Sequence, residues 1–160
     1  MYDSDCHPMP AVERSGRIVA LDLGEKRIGV AICDETQTVA RSLTVLERKS
    51  RLTDFERISR IVDDNGAILL IVGLPLLASG EEGEKAAWVR DYCGDLQRQL
   101  EVPIRLWDEG YTTIQAEASL RERGIHGRKR RKRVDAVAAA FILQSYLDAQ
   151  IRLHQDDRLA

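Results

Sequence analysis

The sequence predicts an α/β protein in which a mixed β-sheet is flanked by helices on both faces. Three observations support this prediction. Two segments rich in Ile and Val come first, a short segment apolar at every position follows a helical one, and strands then alternate with helices. Strand–crossover–strand units form parallel sheets, and a strand that is apolar throughout suits burial between two layers of helices.

The predicted elements follow from the spacing of the apolar residues. Residues 17–21 and 28–33 are joined by a short turn, which favours an antiparallel hairpin, and residues 38–46 continue as a third strand. Apolar positions at helical spacing and short apolar runs define the rest of the chain. We predict helices over 52–65, 84–100, 112–123 and 134–148, and strands over 67–72 and 104–108.

Length and composition indicate one soluble globular domain. The chain has 160 residues, of which 44% are hydrophobic and 31% charged. We expect a flexible leader over residues 1–15, the folded domain over 16–149 and a flexible tail over 150–160. The start has no apolar stretch of signal-peptide length, and no run approaches the length of a membrane helix, so we expect a cytoplasmic protein without a membrane partner.

Three acidic residues stand at the ends of predicted elements. Asp22 ends the first strand, Glu109 follows the last strand, and Asp135 lies near the start of the last helix on the side of Ala138 and Ile142. Ligands gather at the carboxyl ends of parallel strands, and a buried carboxylate needs a partner such as a divalent cation. Two such ions hold a phosphodiester for attack by water. The three acids therefore predict a metal site for phosphodiester hydrolysis.

Each acid also has a simpler interpretation. Asp22 precedes Leu23 and Gly24, so it would also suit a residue that supports the hairpin turn. Asp135 would suit a helix N-cap, which is a common use of aspartate near a helix start. Glu109 would suit an exposed loop residue. These alternatives stay open at the level of the sequence.

A run of six cations precedes Asp135. The segment 121–133 holds eight Lys or Arg against one Glu, although the chain as a whole has a formal charge of −2. A polyanion would relieve the repulsion within the run, whereas a solvated loop is the simpler interpretation. We therefore predict that nucleic acid is the partner and that it is bound by Arg128, Lys129, Arg130, Arg131, Lys132 and Arg133.

Four segments of the chain resemble, in order and spacing, the four signatures of the RuvX family, also called YqgF. They are ALDLGEKRIGVAI, IVGLPLLASGEEGEKA, LWDEGYTTIQAE and KRVDAVAAAFILQSYL, and the resemblance spans about residues 16–147. It implies a ribonuclease H-like fold with a mixed five-stranded sheet. Motif by motif, it implies that Asp22, Glu109 and Asp135 are the catalytic metal ligands, with Mg²⁺ or Mn²⁺ as the cofactor. Gly110 departs from the family pattern, which usually has arginine at this position.

The resemblance implies a metal-dependent nuclease that matures the 5′ end of the small-subunit ribosomal RNA precursor, as a monomer or weak homodimer. Two alternatives are a resolvase of branched DNA (Holliday junctions) and a non-catalytic RNA-binding factor of ribosome assembly, for which Gly110 is the only hint. The strand followed by Asp-Leu-Gly also resembles the phosphate hairpin of sugar kinases and chaperone ATPases. Those enzymes close two lobes around a nucleotide and this chain supplies one, so ATP hydrolysis is disfavoured.

Overall fold

The structure is a computed structural model that describes residues 15–108 and 127–159, with the backbone alone over residues 127–133. Five strands and three helices lie within these residues. In chain order they are β1 (Arg17–Leu23), β2 (Arg27–Cys33), β3 (Ala40–Glu47), α1 (Arg51–Asp64), β4 (Ala67–Leu74), α2 (Glu84–Gln97), β5 (Ile104–Asp108) and α3 (Gly127–Leu159).

The five strands form one mixed sheet in the order β3-β2-β1-β4-β5. The first three strands are antiparallel neighbours, whereas β4 runs parallel to β1 and β5 runs parallel to β4. The predicted hairpin at the front and the parallel second half are therefore confirmed. Leu21 pairs with Val72, and Leu74 pairs with Asp108, so the carboxyl ends of β1, β4 and β5 lie at one edge of the sheet.

Helices cover both faces of the sheet, as the sequence predicts. Val19 and Leu21 of β1 join the core beneath α1 and α2, whereas Ile18 and Ala20 join the core beneath α3. All four side chains are buried. Because side chains along a strand alternate between the two faces, Asp22 belongs to the α3 face at the end of β1.

The turn between β1 and β2 is tight. The amide of Gly24 donates to the carbonyl oxygen of Arg27 over 2.9 Å, and a β-carbon on Gly24 would lie 2.7 Å from that oxygen. Arg48 follows β3, and its Nη1 donates to the carbonyl oxygens of Gly24 and Glu25. Its guanidinium also stacks on the Trp88 ring at 4.6 Å from the ring centroid. Arg48, which lies outside the hairpin, therefore stabilises the turn that follows Asp22.

The last helix is longer at both ends than the pattern of apolar residues predicts. The prediction of a loop over residues 128–133 is wrong, because these residues form the first two turns of α3. Arginine and lysine are good helix formers, and this preference outweighs the repulsion between like charges at helical spacing. The helix also continues past the predicted boundary at Ala149 and ends at Leu159.

Two predicted segments fall outside the described residues: the helix over 112–123 and all but the last residue of the leader over 1–15. Within the part of the chain that the structure describes, no helix combines the length and the apolar character needed to cross a bilayer.

Candidate active site

Asp22 lies near the carboxyl end of the central strand β1. Its direct partner across the antiparallel pair is Gly29 of β2. Side chains of directly opposed residues in an antiparallel pair project on the same face of the sheet. The Asp22 side chain therefore lies on the same face of the sheet as Gly29, which is the face covered by α3. Asp22 is partly buried.

The residue above Gly29 is Asp135. A β-carbon on Gly29 would overlap the Asp135 carbonyl oxygen and would lie 2.6 Å from its carbonyl carbon. Only glycine therefore lets α3 approach β2 so closely. The backbone of Asp135 thus lies directly against the strand neighbour of Asp22. The two acids, which are far apart in sequence, are brought together on one face and at one edge of the sheet.

The face of α3 that packs on the sheet is the one that the sequence predicts. Ala138, Ala139, Ile142 and Tyr146 are all buried against the sheet. Asp135 precedes this stripe by one turn and is partly buried. Because α3 begins at Gly127, Asp135 lies in the third turn of the helix. The alternative interpretation of Asp135 as a helix N-cap is therefore wrong.

Asp135 has a cationic partner that the sequence analysis did not name. Nε of Arg27 donates to Oδ2 of Asp135 over 2.7 Å, and the two side chains are 25% and 23% exposed. Arg27 is the first residue of β2, two positions before Gly29, so both residues belong to the α3 face. The sequence predicts that this carboxylate needs a positively charged partner, and the Arg27 guanidinium is one such partner.

The third predicted ligand, Glu109, lies outside the described residues. It directly follows Asp108, the exposed last residue of β5, whose strand end lies at the same edge as that of β1. Ile104 and Leu106 of β5 contact the core beneath α1 and α2, so Asp108 belongs to that face and not to the face of Asp22.

Carboxylate oxygens are the ligands that Mg²⁺ and Mn²⁺ prefer, so the chemistry of Asp22 and Asp135 suits either ion. Across residues 15–108 and 134–159, no group of three or more His, Cys, Asp or Glu side chains is close enough to hold a metal. The predicted set has only two members within those residues, and its third member, Glu109, is not among them. The chemistry of the described pair is therefore compatible with part of the predicted metal site, and the role of Glu109 stays a prediction.

The basic run leads directly into this edge of the sheet. Asp135 lies at the start of β2, and Gln144, further along α3, bonds to the Ala40 amide at the opposite end of the sheet. The helix therefore runs away from the edge that carries Asp22. Its N-terminus, with residues 128–133, lies on the side of the predicted site, where the helix dipole favours negative charge.

The sequence matches a known protein family over most of its length. The family model described as "RuvX: Holliday junction resolvase" matches residues 16–149. The chain belongs to the RuvX family. A curated relative from Thermoanaerobacter pseudethanolicus is 43% identical over 135 residues, covering 84% of this chain and 97% of the relative. Another relative, from Roseiflexus sp., is 41% identical over 135 residues, covering 84% of this chain and 96% of the relative. Both relatives are named as candidate nucleases of pre-16S rRNA.

Solved structures show the same fold at low sequence identity. The Thermus thermophilus RuvC in complex with a Holliday junction substrate has a TM-score of 0.52 and 18% identity, covering 84% of this chain and 96% of that chain. A second structure of Thermus thermophilus RuvC has a TM-score of 0.51 and 16% identity, and it also covers 84% of this chain and 96% of that chain. The predicted ribonuclease H-like fold is thereby confirmed for this RuvX chain.

The loop after β4 in this RuvX chain is folded on itself beside the same edge. Leu76 and Glu82 form an isolated bridge, and the amide of Leu77 donates to the carbonyl oxygen of Glu81 over 2.8 Å. Arg90 of α2 forms a two-pronged ion pair with Glu82, and its hydrogen bond lowers the pKa of that carboxyl. The loop between β4 and α2 therefore has a defined conformation, held by its own hydrogen bonds and by the ion pair with Arg90.

Two residues of the RuvX site were missed in the sequence analysis. Gly29 had a recognisable signal, because a glycine inside an apolar strand often marks the close approach of another backbone. Arg27 had none, because its partner Asp135 is 108 positions away and no local pattern pairs them.

Proposed function

We propose that this RuvX chain is a metal-dependent nuclease that hydrolyses phosphodiester bonds and matures the 5′ end of the small-subunit ribosomal RNA precursor. The observation that carries the proposal is the contact of Asp135 with Gly29, the strand neighbour of Asp22. It brings two carboxylates from distant sequence to one edge of a ribonuclease H-like sheet. The names of the curated relatives favour pre-16S rRNA as the substrate.

In this proposal Asp22, Glu109 and Asp135 hold two Mg²⁺ or Mn²⁺ ions. Bound ions of this kind supply Lewis-acid stabilisation of the phosphate oxygens and a more acidic water. The carboxylates fix where the ions sit and thereby where the scissile phosphate is held. Glu109 enters on the sequence alone, as the acid that directly follows β5.

The six basic residues at the start of α3 would bind the substrate backbone on the approach to the site. The N-terminal segment of α3, residues 127–135, spans about 12 Å at the helical rise, which is enough to contact several phosphates. Phosphate contacts carry no base identity, so this surface would position the nucleic acid without selecting a sequence. The position of residues 128–133, which only Val134 separates from Asp135, supports this role.

Branched DNA is the second candidate substrate. The description of the family model as a Holliday junction resolvase favours it. A basic helix next to a metal site would bind either polymer, because both present phosphates.

The test compares two labelled substrates: ribosomal RNA precursor and a four-way DNA junction, each with Mg²⁺, Mn²⁺ or EDTA. We expect cleavage of the RNA near its 5′ end with either ion and none with EDTA. Cleavage of the junction alone would favour the resolvase. Binding of RNA without cleavage under every condition would contradict the proposal and favour a non-catalytic assembly factor.

The same assay needs a charge-matched control. Asp22→Asn is expected to abolish cleavage. Asp64→Asn removes the same charge from the exposed end of α1, on the other face of the sheet, and is expected to leave the rate unchanged within about twofold, as for an exposed surface substitution.

A further inference from the structure

Arg27 lies at the edge of the sheet on which Asp22 and Asp135 are both placed. It follows the hairpin turn, and its side chain shares the α3 face with Gly29 and with its own partner, Asp135. Its position in the register is two residues from the Asp22–Gly29 pair. A permanent positive charge therefore stands beside the acids to which a negatively charged substrate must come.

The ion pair uses only one side of the guanidinium. Nε donates to Asp135 Oδ2, and within the described residues no hydrogen bond of Nη1 or Nη2 is formed. These two nitrogens carry four N–H donors in a planar fork, which matches the oxygens of a phosphate. The Arg27 side chain is 25% exposed, and the bond of Nε to Asp135 limits its rotation.

In the proposed site, Asp135 would orient this guanidinium in addition to holding a metal ion. A guanidinium that is already oriented loses less conformational freedom on binding than a free arginine. A site made of carboxylates alone would repel the phosphodiester during its approach. Arg27 offsets this repulsion on the face where Asp22 and Asp135 lie.

We propose that Arg27 binds the scissile phosphate of the substrate through Nη1 and Nη2, held in position by Asp135. This inference rests on the proposed function, because it assumes a phosphodiester at this edge. The competing explanation is that Arg27 is only a counterion for Asp135 and never contacts substrate.

The test uses Arg27→Gln and Arg27→Lys, with Arg41→Gln as the control. Arg41 is exposed on β3 and pairs with Ile32, which belongs to the core of the opposite face. The control removes the same charge from the sheet without touching the site. Each protein is assayed by single-turnover cleavage of labelled ribosomal RNA precursor, and by RNA binding in EDTA at several salt concentrations.

We expect Arg27→Gln to lower kcat/KM by about 10- to 100-fold, the effect of losing a hydrogen bond to a charged group. The loss is expected to persist at saturating Mg²⁺. The salt dependence of binding should fall by about 0.7 in logarithmic slope, the value for one phosphate contact on a single strand. Arg27→Lys keeps the charge but not the fork, so it should lie between the wild type and Arg27→Gln.

Two results would overturn the proposal. Unchanged cleavage and an unchanged salt slope in Arg27→Gln would leave Arg27 as a counterion. A loss of rate that raising Mg²⁺ fully restores would show that Arg27 acts on the metal ligand and not on the phosphate. If Arg27→Gln does not fold, Arg27→Lys decides through its rate, because native stability with a wild-type rate contradicts a fork contact.

Failure of the proposed function would look different. A wild-type protein that cleaves neither RNA nor the junction contradicts the nuclease assignment. The salt slope in EDTA would still report whether Arg27 contacts a phosphate.

Discussion

The backbone of Asp135 lies against the α-carbon of Gly29, closer than any other residue type at position 29 would allow. This contact sets the position of α3 on β2 and places Asp135 beside the strand neighbour of Asp22. The chemistry proposed for the site depends on it.

Gly29→Ala is expected to lower the free energy of unfolding by about 1–3 kcal/mol or more, the usual cost of overpacking a core. The added methyl group meets backbone atoms, which cannot rotate away, so α3 must move off β2. Urea unfolding measures the loss, and cleavage should fall with it. Gly94→Ala is the control, because Gly94 lies inside α2 with nothing within 4 Å of the added carbon. That variant should gain about 0.5–1 kcal/mol. Equal stability of the two variants would contradict the close contact.

Asp22→Asn is expected to remove the rise in Tm that Mg²⁺ gives to the wild type. A ligand that binds only the folded state stabilises it, by about 2.7 kcal/mol at 100 times its dissociation constant. In EDTA the variant should be as stable as the wild type or more so, because one of the neighbouring carboxylates loses its charge. Thermal melts with and without Mg²⁺ provide the comparison. A large loss of stability in EDTA would instead favour a role for Asp22 in supporting the hairpin turn.

Replacing Arg130, Arg131 and Arg133 by Gln is expected to lower the salt slope of nucleic-acid binding by roughly two to three units, at about 0.7 to 0.9 per contact. Glutamine is nearly as good a helix former as arginine, so α3 should keep its length. The matched control replaces Arg41, Arg98 and Arg152, which are exposed elsewhere. An unchanged slope in the first variant would leave the run as a solvated helix start.

Alkaline pH is expected to destabilise the fold through Cys93. Burial raises the pKa of this thiol from 9.0 to about 12. The unfolded chain therefore releases the proton first, so the stabilising contribution is complete below pH 9 and is lost as the pH rises towards 12. The free energy of unfolding should fall by about 1.4 kcal/mol per pH unit in this window from this group. Cys93→Ala should show a shallower slope in urea unfolding between pH 9 and 11, and identical slopes would contradict the assignment. Tyr92, whose pKa burial raises to about 12, adds a similar slope in both proteins.

Much of this fold follows from local patterns. The Ile- and Val-rich segments of β1 and β2 and the short turn between them predict the hairpin, and the unbroken apolar run of β4 predicts a strand covered on both faces. The positions of Ala138 and Ile142 correctly predict the buried face of α3 and hence the side on which Asp135 lies.

Other features cannot be predicted from the local pattern of apolar residues. The predicted start of α3 at residue 134 is seven residues too late, because apolar periodicity marks the buried face of a helix and residues 128–133 contain no apolar residue. The pairing of Arg27 with Asp135 depends on the packing of α3 across β2, which is a tertiary contact. Glu109 stays a prediction from sequence, because it lies outside the described residues.

The most direct test of the central claim is the single-turnover rate at which Asp135→Asn cleaves ribosomal RNA precursor with Mg²⁺. The account predicts a rate at least about 100-fold below the wild type, because the variant lacks a metal-binding carboxylate. Asp148→Asn, the same substitution on the exposed side of the same helix, should keep the wild-type rate. A folded Asp135→Asn protein that cleaves the RNA as fast as Asp148→Asn would contradict the claim that this edge of the sheet is the active site.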